Sequence, residues 1–437
     1  PQVWLDEHQM GSTGARMFIP PFSNPVSPAI HPLVWRHVDQ LGSFMALRLE
    51  QAGKAGVGYG FTFDSYWPGG TKNTAWFKNT VGLLSELASA RVATPVEIHP
   101  TELTPMGKGL TEYQAQVNFP NPWKGGTWRL RDIMDYQRII SDALLEMASE
   151  RRADLLRSRL IMSEDSVGQG KADQGWRIAA DQRDPASAAK LARLLQDHRV
   201  EVRWSPRDRA WLIPSAQPHG RFVREIFCIN RYPEVSLQAG APILEPYDVT
   251  AWNLPLHMGV EVQTVALDPA QVQALPMATP QDGRSGGMVP GGKLYALDRS
   301  SNAVTPFLNA YLRAGGRASA ALGTFQAGGQ TFPAGTLLLE PTAELKNLAD
   351  QHEVAPLALR ERPEVLRTSQ RPVRVGLYKS FQASMDEGWT RFVLDQAGFQ
   401  PVSLDNAGVQ AGKLRERFEV LVFASQTRQA ILEGRSE

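Results

Sequence analysis

The chain has 437 residues, 42% of them hydrophobic and 21% charged, and its formal net charge is +1. That balance fits a globular protein, excludes general disorder and leaves no basic field for nucleic acid. Two to four domains of roughly 100 to 200 residues are expected at this length, and no run approaches the roughly eighteen apolar residues of a membrane span. The single cysteine, Cys228, excludes a disulfide framework and a thiolate metal cluster. It lies in REIFCINRY without a nearby His, and reads as structural.

In chain order, residues 2–8 (QVWLDEH) alternate about an apolar centre and end in a Gly/Ser turn, so a strand is predicted with Asp6 and His8 on one face. After a Pro-rich loop, HPLVWRHVDQLGSFMALRLEQAG has helical spacing, with Gly53 as its C-cap. VGYGFTFDSYWPGGTKNTAWF, aromatic and Gly-rich, reads as a substrate-facing loop rather than core. TVGLLSELAS reads as an apolar strand carrying one carboxylate. A single long helix is predicted over about 128–160, with Ile133, Tyr136, Ile140, Leu144 and Met147 as its buried stripe. SEDSVGQGKADQG reads as a linker.

Beyond it an internal repeat is visible. GWRIAADQRDPASAAKLARLLQDHRVEVRW and KLYALDRSSNAVTPFLNAYLRAGGRASAAL both read strand, Asp, helix, strand. Asp181 aligns with Asp298 and His198 with Gly315, both offset by 117 (298 − 181 and 315 − 198). The Asp of each unit is taken as a helix N-terminal signal, and each unit runs on into a hairpin-like strand. RPVRVGLYKSF, a helix over MDEGWTRFVLDQAGF and FEVLVFAS then read as a βαβ opening of a flavodoxin-like or Rossmann-like sheet without a Gly-x-Gly-x-x-Gly loop.

Two residues stand out chemically. His8 sits at a strand end beside polar turn residues, where it could be a zinc ligand or structural. The other histidines are weaker candidates: His31 and His37 lie off one another's helical face, and His99 is in a loop. Glu86 lies inside an apolar strand, where a carboxylate is costly unless paired or functional, and burial would raise its pKa toward a general-base range. Pairing with Arg91 is the plain alternative.

HQMGSTGARMFIPPF, separated from VGLLSELAS by a Tyr/Trp/Gly loop, resembles the C-terminal half of the M14 zinc carboxypeptidase domain, especially its bacterial secreted branch. The resemblance covers about residues 1–155. It implies a partial zinc-carboxypeptidase-like mixed-sheet α/β domain over 1–160. It further implies a duplicated α/β middle module over 172–365 and the start of a class I amidotransferase-like, flavodoxin-like domain over 371–437. No amidotransferase triad is complete, so that activity is not expected.

By the same resemblance His8 would be the third zinc ligand and Glu86 the general base, taking a proton from the metal-bound water and passing it to the leaving amine. Tyr66 would close over the substrate, with Tyr59 as second choice. Asp6 would orient a ligand or form a simple salt bridge. The family's His-x-x-Glu pair does not occur here at a suitable position, so the chain is expected to be a fragment that binds zinc weakly or not at all by itself, its remaining ligands lying upstream of residue 1. The implied activity is hydrolysis of C-terminal amide bonds in a peptide substrate, in a periplasmic or secreted setting. N-acyl amino acid deacylation, or non-catalytic binding of peptide or glycan, are the rival expectations. The resemblance requires His8 and Glu86 to project from neighbouring strands to one side of the sheet.

Overall fold

VGLLSELA is apolar toward both faces, and it forms the strand Val81–Ala88 with all eight residues buried. The structure, a computed structural model, describes every residue except 1, 108, 172, 237–239, 244, 246–251, 284–286 and 434–437. A strand covered on both faces belongs at a sheet's centre. Val81–Ala88 accordingly stands between the first strand, Val3–Met10, and the short strand Met17–Phe18, with Val57–Gly58 beyond. Val3–Met10 pairs with it in parallel and Met17–Phe18 antiparallel, so the sheet is mixed.

Helix Pro32–Gln51 forms where its spacing predicts. The His31 Nδ1 accepts the Leu33 N–H at 3.1 Å at one end, and Gly53, at φ 67°, closes the other. Helix Thr71–Phe77 lies so close to the central strand that a Cβ on Gly82 would stand 2.1 Å from the Lys72 carbonyl oxygen. Only glycine fits there.

Three expectations are corrected in this region. The aromatic segment is partly core: Phe61 is 1% exposed, because Gly60 and Phe63 take positive φ and fold the loop inward. The single helix over 128–160 is two, Leu130–Glu150 and Arg152–Gln169, interrupted where Arg151 leaves helical geometry at φ −100° and ψ 18°. The second helix runs through most of the expected linker. Its polar residues are anchored, Asp165 to the Arg221 guanidinium and the Ser166 hydroxyl to the Gln217 carbonyl at 3.1 Å. Residue 172 of that linker lies outside the described residues.

The chain divides into two compact units, Pro1–Ile178, Leu191–Arg207 and Trp211–Ala278 in one, and Ala179–Lys190, Asp208–Ala210 and Thr279–Glu437 in the other. Two of the sheets share one strand order. One sheet runs Arg203–Ser205, Ala210–Pro214, Gln174–Ala179, Gln263–Ala266. Another runs Ala318–Ala321, Leu337–Leu339, Leu294–Leu297, Leu357–Leu359, with Arg367–Gln370 added beside Ala318–Ala321. The first four strands of each follow the same sequence-to-space order.

The expected alignment shifts in detail. Arg199 and Gly315 both take positive φ, and the N–H groups of Arg199 and Val200 return to Gln196 and Leu195 as those of Gly315 and Gly316 return to Leu312 and Tyr311. The helix ends are therefore equivalent at an offset of 116 (315 − 199), with Arg199 rather than His198 opposite Gly315. Nor are Asp181 and Asp298 the helix caps. Asp181 pairs with Arg209 at 2.8 Å and Asp298 accepts the Ser300 N–H at 2.8 Å, because both stand at strand ends before the helices begin. Asp184 caps the first helix through the Ser187 N–H at 3.1 Å. It also accepts the hydroxyl of Ser301 at 2.7 Å.

The last strands, Val402–Leu404, Val375–Tyr378 and Val420–Val422, form a parallel sheet with the earliest strand central. Its helix Met385–Gln396 leaves Met385, Trp389, Phe392 and Val393 exposed. Residues 434–437 of the expected last module lie outside the described residues. The protein is thus mixed α/β with several sheets, and no helix among the described residues is long and apolar enough to cross a membrane.

The central strand is buried along its whole length. Leu83→Ala, at a side chain 0% exposed, is expected to lower stability by about 2–5 kcal/mol in urea titration. Trp4→Ala, 43% exposed on the edge strand, is expected to cost no more than about 1 kcal/mol.

Candidate active site around Glu86

The parallel register sets His8 opposite Glu86 and Asp6 opposite Leu84. Residues opposed in register leave a sheet on the same side, and positions two apart on a strand share a face. Asp6, His8 and Glu86 therefore meet on one side of the sheet. The His8 Nε2 lies 3.0 Å from the Asp6 Oδ2, and the imidazole is 47% exposed while Glu86 is 7% exposed. On Glu86's other flank its partner in register is Phe18. The Phe18 ring sits in an aromatic cluster with Phe61 at 5.1 Å, Phe63 at 5.4 Å and Phe22 at 6.0 Å.

The carboxylate stands between an imidazole and an apolar wall. Its Oε2 is buried without a hydrogen-bond partner among the described residues. Burial pushes the Glu86 carboxyl up to about 7, against the pull of His8 and Lys72 and with a small push from Asp6. A carboxyl so placed exchanges its proton near neutrality, as a general base must. Arg91, the neighbour in sequence, is exposed and takes no part in this balance.

Lys72 is a residue that sequence reasoning missed. It is 2% exposed, its Nζ 2.6 Å from the Asn73 Oδ1 and 5.0–5.3 Å from the ring centroids of Phe22, Phe63 and Trp76. The only signal was a lysine opening a short helix after WPGG. The turn after His8 is held from within by Arg16, also 0% exposed, whose Nη2 donates to the carbonyls of Ser12 and Gly14 at 2.5 and 2.7 Å. Its guanidinium lies over the Trp123 and Trp128 rings at 4.3 and 5.1 Å, and burial lowers its pKa to about 10.

His8 suits one ligand position for a zinc ion. Asp6 engages Nε2, which orients the ring and leaves the Nδ1 lone pair for a metal, an arrangement common behind metal-bound imidazoles. A centre needs more: no group of three His, Cys, Asp or Glu side chains among the described residues could hold an ion. Among the described residues, His8 offers one nitrogen that could ligate a metal, opposite the Glu86 carboxyl in register.

The remaining candidates lie elsewhere. Tyr66 donates to the Arg231 carbonyl at 3.1 Å and packs edge-on against Tyr232 and Trp252, and among the described residues no hydrogen bond or ring contact joins it to Glu86 or His8. Tyr59 donates to the Val117 carbonyl at 3.3 Å. His31 caps a helix, His37 bonds Ser158 at 2.8 Å and His99 closes a capping box, so all three have structural tasks. The Cys228 thiol is pushed up by burial and by Glu225, away from thiolate chemistry.

No family model, no curated protein and no solved structure matches the chain.

Because the folded Glu86 carboxyl holds its proton more tightly than the unfolded one, its burial is tolerated below about pH 4.5 and becomes costly as pH rises to about 7. In metal-free protein Glu86→Gln is expected to gain stability at pH 8, by about 2–3 kcal/mol over wild type. The gain should vanish near pH 4.5, and urea midpoints across that range measure it.

Proposed function

We propose that this chain belongs to a zinc metallocarboxypeptidase of the M14 type and provides its general base, Glu86, and one zinc ligand, His8. The protein would hydrolyse C-terminal amide bonds of peptides. The observation that carries the reading is the juxtaposition in register of an exposed imidazole, backed by a carboxylate, with a buried carboxylate whose Oε2 has no partner among the described residues. A structural glutamate is normally paired or hydrogen-bonded when buried. Glu86 is neither.

When bound through His8 and donors beyond the described residues of this chain, zinc would supply Lewis acidity to the scissile carbonyl. The chain's own part is proton traffic. Glu86 accepts a proton from the attacking water as its oxygen bonds to the carbonyl carbon. It returns that proton to the amine nitrogen as the carbon–nitrogen bond breaks, leaving a carboxylic acid and an amine. The aromatic wall of Phe18, Phe61 and Phe63 keeps solvent from the Glu86 carboxylate and so keeps it basic. Asp6 holds the His8 ring in one tautomer.

In this reading the mixed sheet is part of a carboxypeptidase-like domain and the two sheets of equal strand order are a duplicated module. The parallel sheet around Val375–Tyr378 opens a flavodoxin-like domain. A periplasmic or secreted setting and a peptide substrate belong to the same proposal.

Zinc content and hydrolysis of blocked dipeptides by the complete natural polypeptide test it. Glu86→Gln is expected to lower kcat by about 10²–10⁴ with KM little changed and zinc retained. Undiminished turnover in that variant removes Glu86 from the role.

A further inference from the structure

We infer that the first unit holds a second binding site, for a phosphomonoester with an apolar or aromatic body, in a cavity of about 450 Å³ near the N-terminal end of the Val3–Met10 strand. The site does not depend on the hydrolase reading. Trp4, which helps line it, lies four residues before His8, about 13 Å along the strand.

Its charge is the first argument. Lys78, Arg159 and Arg199 line the cavity with a single carboxylate, Asp197. Three fixed cations against one anion leave a surplus of two, the charge of a phosphomonoester above its second ionisation near pH 6. Arg159 also opposes the charge on Lys78. Burial and then Arg159 lower the Lys78 pKa, and the Arg159 pKa is lowered by burial alone. Like charges are seldom gathered in a half-buried cavity without an anion to offset them.

The donors are also held in place. Arg159 Nη1 is fixed by the carbonyls of Lys78 and Asn79, both at 2.8 Å, and by the Thr80 hydroxyl at 2.6 Å. Its Nε and Nη2 make no hydrogen bond among the described residues, and a second guanidinium edge suits a phosphate. Lys78 Nζ lies 3.0 Å from the His198 Nδ1. As an ammonium it can only donate, so the His198 ring carries its proton on Nε2 and can donate in turn. The His219 Nδ1 faces the carbonyls of His198 and Arg199 at 3.1 and 3.2 Å, so its proton is there and Nε2 is an acceptor. The pair offers one donor and one acceptor.

Arg199 adds a further sign. It holds the left-handed position that closes its helix, at φ 61°, where the other repeat has Gly315. A non-glycine residue there costs stability, and such cost tends to be retained where the side chain has a task. Trp4, 43% exposed, offers a flat apolar face at the cavity wall for the body of the ligand.

Calorimetry on the full chain at low ionic strength, with phenyl phosphate, inorganic phosphate and benzoate as probes, tests the site. Phenyl phosphate is expected to bind with Kd below about 1 mM, more tightly than inorganic phosphate or benzoate. Arg199→Gly, which relieves the backbone while removing the guanidinium, and Lys78→Met should each weaken phenyl phosphate by about tenfold or more. Trp4→Ala should weaken phenyl phosphate several-fold and leave inorganic phosphate unchanged. No binding of phenyl phosphate at about 10 mM overturns the proposal. So does unchanged affinity in folded Arg199→Gly and Lys78→Met proteins. Equal binding of inorganic phosphate refutes the apolar body, and equal binding of benzoate refutes the phosphate.

Discussion

The parallel pairing of Val3–Met10 with the buried strand Val81–Ala88 is the constraint on which the rest of the candidate site depends. A slip of one residue would turn Glu86 and His8 to opposite faces. The register is secured because Val81–Ala88 is covered on both faces, and its flank is set by the Gly82 contact with the helix that carries Lys72. Packing at one end of the strand thus determines which side chains meet at the other.

Desolvation dominates the chemistry that follows. His8 and Lys72 both draw Glu86 toward its charged form, yet burial outweighs them and the carboxyl remains near neutrality. Beside it lies the aromatic cluster around Phe18, to which the loop whose composition suggested exposure contributes Phe61 and Phe63. Lys72 itself is stabilised by ring faces and the Asn73 amide, and its positive charge draws Glu86 toward the charged form.

The repeated sheets show how one topology can serve different ends. Both helices close with a left-handed residue, Arg199 in one and Gly315 in the other. In the first the backbone cost accompanies a guanidinium at a cavity, while in the second no side chain is present. Asp184 accepts a hydrogen bond from Ser301, and its four hydrogen bonds outweigh burial and hold its carboxyl below the usual range.

Much of this was legible in the sequence. Alternation in QVWLDEH and the apolar run VGLLSELA determined two strands, helical spacing determined the helix from Pro32, and a shared pattern determined the repeat, since each of these is local periodicity. What local pattern could not carry was contact between distant segments. The helical course of Ser163–Gln169 is anchored by Arg221 and Gln217, and Phe61 packs on Phe18, in both cases neighbours far along the chain. The same holds for the site. That Glu86 was an anomaly followed from its apolar surroundings in sequence. That it stands beside His8, opposite Phe18 and near Lys72, with Tyr66 engaged elsewhere, was decided only by strand register and helix packing, because burial and electrostatics depend on distance in space.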